Sequence, residues 1–148
     1  MATFVRIMST TKKHKTPIQL RFKDIDALGH VNNANHLTFF ELARINYFRD
    51  LIGEEIDWDR DGMIVAHVTV SYKQPVYFKD RLFVYTHFIK TGTTSFELGY
   101  ELVRVEKDGT EVLLSTGTSV IVCYSYKEKK PVPVPSSWRE KMEGNILE

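Results

Sequence analysis

The feature that most restricts the fold of this chain is an apolar segment between Leu37 and Ile52. Written as a helix, the segment carries apolar side chains around almost its whole circumference and leaves only a narrow polar stripe. A helix of this composition is buried by other elements and does not lie on a surface. Asparagine is a good cap, so we expect the helix to start at about Asn33, and Gly53 supplies the expected stop.

The segments around this helix alternate between apolar and polar residues, which is typical of strands. Five strands are predicted, one before the helix and four after it, over about 18–22, 64–73, 81–90, 96–102 and 111–125. This order predicts an α+β domain in which a curved antiparallel sheet wraps around the long helix. A short last helix, with Ser137 as its cap, is expected near the C-terminus. A second subunit is expected to cover the rest of the apolar helix.

Length and composition limit the remaining possibilities. The 148 residues are predicted to form one domain, with a lead-in over 1–16 and a C-terminal extension over 126–148. A formal charge of +1 predicts no nucleic-acid partner, and no apolar run is long enough to predict a membrane span. Cys123 is the only cysteine, so no disulfide framework is possible and a cytoplasmic location is expected. Metal-binding and phosphate-binding motifs are absent, and no cofactor is expected.

The polar loop just before the long helix is the candidate reaction centre. It contains two acids, a glycine and two asparagines in the string Asp24-Ile25-Asp26-Ala27-Leu28-Gly29-His30-Val31-Asn32-Asn33. A loop can fix a carboxylate here, and the free N–H groups of a first helical turn can face a substrate oxygen. From the residues alone two interpretations of Asp26 stay open: a cap of the turn, or a catalytic group.

This string, followed by 39–44, resembles the opening motif of hotdog-fold acyl-CoA thioesterases of the 4-hydroxybenzoyl-CoA thioesterase class. The stretch 68–80 and the turn at Gly92 to Ser95 are similar to the same class, and the likeness covers about residues 17–125. It implies a hotdog fold, in which five or six antiparallel strands wrap around one long helix. It also implies a homodimer or homotetramer, an acyl-CoA substrate and thioester hydrolysis.

The resemblance also implies roles for particular residues. Asp26 matches the catalytic carboxylate, which acts as a base or as a nucleophile. The backbone amide at Asn33 falls where the family polarises the thioester carbonyl. His30 matches the histidine of a string shared with plant-type acyl-carrier-protein thioesterases, although Leu28 stands where those enzymes have asparagine.

A second set of expected contacts lies after the third predicted strand, where the family often holds the phosphates of coenzyme A. The residues that this turn offers are Lys90, Thr91, Gly92, Thr93, Thr94 and Ser95. His67, on the more polar face of its strand, either lines the acyl pocket or simply packs. Two alternatives to an acyl-CoA thioesterase are an acyl-carrier-protein thioesterase and a non-catalytic acyl-CoA-binding hotdog protein.

Overall fold

The computed structural model of the chain describes residues 12–53 and 56–144. In chain order its elements are β1 (His14–Ile18), a 3₁₀ turn (Phe22–Asp24), α1 (Asn33–Ile52), β2 (Gly62–Tyr72), β3 (Leu82–Thr91), β4 (Ser95–Val105), β5 (Glu111–Ser125), β6 (Lys130–Pro131) and α2 (Ser136–Gly144). The strands form one antiparallel sheet of six, in the order β1-β3-β4-β5-β2, with β6 added to β5. This arrangement confirms the predicted α+β architecture of an antiparallel sheet, one long helix and a short last helix.

The long helix α1 begins and ends where its caps predict. The side chain of Asn32 accepts a hydrogen bond from the backbone N–H of Ala34 at 2.9 Å, and Gly53 ends the helix with a φ of 64°. Glycine adopts such a left-handed φ without strain. The face turned to the sheet buries large rings such as Phe40 and Tyr47, each worth about 1.5–3 kcal/mol of stability.

The opposite face of α1 is not covered within a single chain. Leu37, Leu42 and Ile45 remain 38%, 42% and 56% exposed. The prediction of a helix buried on nearly all sides is therefore met on the sheet side only. An additional layer is needed to bury the rest.

The first strand lies earlier in the chain than predicted, at 14–18 instead of 18–22. The cause is the 3₁₀ turn, in which the buried carboxylate of Asp24 accepts hydrogen bonds from the backbone N–H of Arg21 at 2.9 Å and from its guanidinium at 3.0 Å. Burial alone would raise the pKa of Asp24, but the hydrogen bonds and the charge of Arg21 hold that pKa below its usual value. These contacts of Asp24 stabilise the 3₁₀ turn and keep residues 22–24 out of the sheet.

Strand β2 contains a β-bulge that the sequence pattern hides. The register of β2 against β5 shifts between Val65 and His67, so a simple alternation from residue 64 assigns Ile64 and Val65 to the wrong faces, whereas it holds from His67 onward. Val65 and Val68 pair with the buried residues Ile121 and Ser119, which places both valines on the helix-facing side. His67 consequently lies on the outer face of the sheet.

The C-terminal segment packs against the end of α1. The predicted cap Ser137 lies inside α2, which begins at Ser136. Trp138 and Met142 of this helix are buried, and the Trp138 ring contacts Phe48 at 5.8 Å between centroids. The Lys141 ammonium donates to the carbonyl of Ile52 at 2.6 Å. Within 12–53 and 56–144, no helix is both long and apolar enough to cross a membrane.

Candidate active site

The loop before α1 folds back on itself as a short hairpin. Ile25 forms a β-bridge with Val31, and the backbone N–H of Asp26 donates to the carbonyl of His30 at 3.0 Å. The N–H of Gly29 donates to the carbonyl of Asp26 at 3.0 Å. Gly29 has a φ of 85°, a conformation that favours glycine. The hairpin fixes the backbone of Asp26 just before the start of α1.

The carboxylate of Asp26 acts in part as a cap. Its Oδ1 accepts a hydrogen bond from the backbone N–H of Leu28 at 2.9 Å. Its Oδ2 lies 3.5 Å from the side-chain nitrogen of Asn32 and retains acceptor capacity, and the residue is partly exposed. The capping contact therefore exists, and it leaves one oxygen of Asp26 available for chemistry.

The first turn of α1 presents one backbone N–H to its surroundings. The N–H of Ala34 is capped by the Asn32 side chain, and the N–H of Asn35 donates to the Asn32 carbonyl at 2.9 Å. Among the residues that the structure describes, none accepts a hydrogen bond from the N–H of Asn33. An unpaired N–H at the positive end of a helix is suited to a carbonyl oxygen that gains negative charge.

A cleft of about 230 Å³ opens at this helix start, and both His30 and Asn33 line it. Its other lining residues are Val31, His36, Tyr72, Lys73, Gln74 and Pro75. Asp26 is outside this set, and its backbone N–H donates to the carbonyl of His30, which lines the cleft. The structure thus brings three predicted residues, Asp26, His30 and Asn33, to one end of α1.

Two further residues support this end of the helix, although the sequence pattern assigned neither of them to the site. The hydroxyl of Tyr72 donates to the carbonyl of Asn33 at 2.8 Å. The buried His36 contacts Ser115 Oγ through Nδ1 at 2.8 Å and packs edge-on against the Tyr72 ring. His36 could have been found from its spacing, three residues after Asn33 on one helix face, whereas Tyr72 is distant in sequence and carried no local signal.

Burial lowers the pKa of His36 to about 4, because the interior disfavours the charged imidazolium. The unfolded chain therefore binds a proton at a higher pH than the folded chain does. Stability is full above about pH 6.5 and is expected to fall by up to roughly 3 kcal/mol as the pH drops towards 4. His36→Gln should weaken this fall, as measured by urea unfolding at about pH 7 and about pH 4.5.

His67→Gln is the matched control, because this histidine is exposed and its replacement should leave the urea midpoint at about pH 7 unchanged. A smaller fall should remain in the His36 variant, since burial also lowers the pKa of His87. Equal pH dependence in the His36 variant and the wild type would contradict the assignment.

The predicted coenzyme A turn lies far from Asp26 in the same chain. Phe96, which follows the turn, packs against Phe48 near the end of α1 at 5.3 Å between ring centroids. Asn33 lies at the other end of this 20-residue helix, and a helix of that length spans roughly 30 Å. Lys90, Thr91, Gly92 and Ser95 line a cleft of about 480 Å³ there.

Some polar groups of this turn are already engaged. Thr91 Oγ1 donates to Glu143 at 2.6 Å and accepts from Arg139 at 3.0 Å, and the Gly92 carbonyl accepts from Arg139 at 2.7 Å. Lys90 pairs with Glu97 at 3.8 Å. Arg139 was missed in the sequence because it lies 47 residues after Gly92.

Other chemistries find no support in residues 12–53 and 56–144. No group of three or more His, Cys, Asp and Glu residues in these ranges could hold a metal ion. Burial raises the pKa of the Cys123 thiol to about 12, so it stays protonated and packs as a small apolar side chain. His67 faces away from α1, and its predicted place in the acyl pocket stays a prediction.

Comparison with known proteins places this geometry among thioesterases. The model of the Thioesterase-like superfamily matches residues 20–142. The chain is 27% identical over 132 residues to the acyl-CoA thioester hydrolase YbgC of Escherichia coli O157:H7, covering 88% of this chain and 95% of that protein.

Two solved structures extend the comparison. A thioesterase from Thermus thermophilus, complexed with coenzyme A and zinc, is 32% identical with a TM-score of 0.73, over 88% of this chain and 92% of that one. A 4-hydroxybenzoyl-CoA thioesterase mutant in complex with 4-hydroxybenzoyl-CoA has a TM-score of 0.80 at 17% identity, over 88% of this chain and 98% of that one, and shares the fold. The hotdog fold expected from the sequence is thereby confirmed.

Proposed function

The chain belongs to the thioesterase-like superfamily, and on this premise we propose that it hydrolyses acyl-CoA thioesters with Asp26 as the reactive carboxylate. The products are a free carboxylic acid and coenzyme A. The observation that carries the proposal is the pairing of an available carboxylate oxygen of Asp26 with the unpaired N–H of Asn33 at the start of α1. Thioester hydrolysis needs these two elements, an activated oxygen and a donor for the developing oxyanion.

In the base route, Asp26 takes a proton from water as the water oxygen bonds to the thioester carbon. The carbonyl oxygen becomes negative and accepts a hydrogen bond from the Asn33 N–H. Loss of one such donor typically costs about 3–4 kcal/mol of transition-state stabilisation. The C–S bond then breaks, and the departing thiolate of coenzyme A takes the proton.

In the nucleophile route, a carboxylate oxygen of Asp26 bonds to the thioester carbon and the thiolate departs. This leaves an anhydride between Asp26 and the acyl group, which water then hydrolyses to restore the carboxylate. The same Asn33 N–H serves the oxyanion in both routes. His30 lines the cleft beside it, which supports a hydrogen bond from this side chain to the substrate.

We further propose that the complete site is shared between two copies of the chain. The turn expected to hold the coenzyme A phosphates lies near the far end of α1 from Asp26, and the helix spans roughly 30 Å. An antiparallel pair of subunits brings the end of one α1 beside the start of the other. Each acyl-CoA would then use Asp26 of one subunit and the turn of its partner.

The two edges of the sheet differ in a way that supports this pairing. The edge strand β1 has only five residues and contains Pro17, which removes a backbone donor. The edge strand β2 has eleven residues, without proline, lysine or an acid. An unprotected long edge is a template for another strand, so β2 is the edge expected to pair with β2 of a second copy.

A second copy would also cover the exposed apolar side chains along this edge. Val65 and Val68 on β2 are 43% and 42% exposed, although both face the helix side of the sheet. They adjoin the uncovered face of α1 that carries Leu37 and Ile45. Burying these side chains together provides the association energy for a homodimer, which is also the unit of a homotetramer.

The direct test is release of coenzyme A from a panel of acyl-CoAs of different chain lengths and of aryl-CoAs. A thiol reagent follows the reaction, and the purified protein is expected to release thiol from at least one substrate class. Failure with every substrate would contradict the proposed activity. It would favour a protein that only binds acyl-CoA, which calorimetric titration with coenzyme A would detect.

A further inference from the structure

Residues from later in the chain donate hydrogen bonds to the backbone carbonyls of the turn at 91–95. The Gly92 carbonyl accepts from the Arg139 guanidinium at 2.7 Å, and the Thr93 carbonyl accepts from the backbone N–H of Val134 at 3.0 Å. The Thr94 carbonyl accepts from the backbone N–H of Cys123 at 2.8 Å. Three successive carbonyl groups are thus directed into the protein.

The direction of a carbonyl fixes the direction of the next N–H, because the two point in opposite directions across a trans peptide bond. No cis peptide occurs in residues 12–53 and 56–144. With the carbonyls of Gly92 and Thr93 turned inward, the N–H groups of Thr93 and Thr94 point outward. No described residue accepts a hydrogen bond from either group.

Charge alone does not make this turn attractive to phosphate. Lys90 is paired with Glu97 at 3.8 Å, and Arg139 lies 3.8 Å from Glu143. The local cations are therefore matched by acids. Successive outward N–H groups form the kind of concavity that binds anions without net charge, and the hydroxyl of Thr93 adds a further donor.

We propose that Arg139 is a positioning residue for coenzyme A, holding the Gly92 carbonyl inward so that the outward N–H groups of Thr93 and Thr94 bind the nucleotide phosphates. This inference rests on the proposed function, since it assigns the turn to the nucleotide end of the substrate. Arg139 acts through the backbone and through Thr91, whose hydroxyl it also holds at 3.0 Å. The two contacts use separate guanidinium nitrogens, Nη1 to Thr91 and Nη2 to Gly92, and the single nitrogen of a lysine does not reproduce this planar geometry.

The test compares Arg139→Lys and Arg139→Met with the wild type. Both variants should raise the Kd for coenzyme A, measured by calorimetry, by about tenfold, as expected for lost hydrogen bonds to a charged group. The KM for an acyl-CoA should rise similarly while kcat stays unchanged. Hydrolysis of the matching acyl N-acetylcysteamine thioester, which has no nucleotide, should be unaffected.

Lys141→Met is the matched control. It removes another cation from α2, together with the 2.6 Å hydrogen bond to the Ile52 carbonyl, without touching the turn. Thermal unfolding of all variants checks that the fold is retained. The control should bind coenzyme A as the wild type does.

Three results would overturn the positioning role. One is a coenzyme A affinity that is unchanged in both Arg139 variants. Another is full affinity in Arg139→Lys, which would make charge, and not the inward carbonyl, the cause. The third is equal damage to the acyl-CoA and the truncated thioester. If the wild type binds coenzyme A yet hydrolyses neither thioester, the proposed activity fails while the affinity comparison still decides the role of Arg139.

Discussion

Replacement of Asp26 by asparagine is expected to lower kcat for acyl-CoA hydrolysis by at least about a hundredfold, within the roughly 10²–10⁴ range for loss of a general base. The fold should survive, because an asparagine oxygen can still accept the hydrogen bond from Leu28 N–H that Asp26 accepts at 2.9 Å. Asp26→Ala removes both the chemistry and the cap, and should cost about a further 1 kcal/mol of stability. Steady-state kinetics and urea unfolding of the two variants separate the two roles.

Asp108 supplies a matched control for this experiment. Its Oδ1 caps the N–H of Thr110 at 2.9 Å, the same contact at the same spacing, in the hairpin between β4 and β5. Asp108→Asn should leave kcat unchanged. Hydrolysis at the wild-type rate by Asp26→Asn would remove Asp26 from the mechanism. Isotope found in the Asp26 carboxylate after a single turnover of the wild type in ¹⁸O-water would show the nucleophile route, since only water attack on the Asp26 carbonyl of an anhydride places it there.

Replacement of Val68 by aspartate is expected to convert the proposed dimer to monomers and to lower kcat/KM for acyl-CoA by at least about a hundredfold, the scale of loss when a substrate-positioning element leaves the site. Val68 lies at the unprotected edge on the helix-facing side, where a second copy would enclose it. A buried, unpaired carboxylate is too costly to be retained there. Light scattering after size-exclusion chromatography reports the mass, and kinetics report the activity.

Ser71→Asp places the same charge on the same strand but on the outer face of the sheet, because Ser71 pairs with Thr116. This variant should remain dimeric and active. A Val68→Asp protein that is monomeric but fully active would exclude a shared site. A Val68→Asp protein that stays dimeric would show that the subunits meet elsewhere.

The parts of the fold that sequence predicted well depend on neighbours in the chain. The caps of α1 at Asn32 and Gly53 are local. The last long strand ends at Ser125, as predicted. The proximity of Asp26 to the helix start was also predictable, since only a short hairpin separates them.

The parts that sequence missed depend on contacts between distant residues. The prediction placed the first strand too late because it counted Arg21 as a polar position of that strand, whereas Arg21 pairs with the buried Asp24. The bulge at Ala66 appears only in the register against β5. The hydrogen bond from Tyr72 to the Asn33 carbonyl joins residues 39 positions apart. The hydrogen bond from Arg139 to the Gly92 carbonyl joins residues 47 positions apart.

The proline in β1 has a consequence for the whole assembly. In the proposed pairing through β2, both partners would use the same strand around a two-fold axis, so the joined sheet would end on both sides in a proline-bearing β1. Neither of those edges would offer a complete row of backbone hydrogen-bonding groups to a third molecule. Strand addition would therefore stop at two copies, and the long shared edge would not start a fibre.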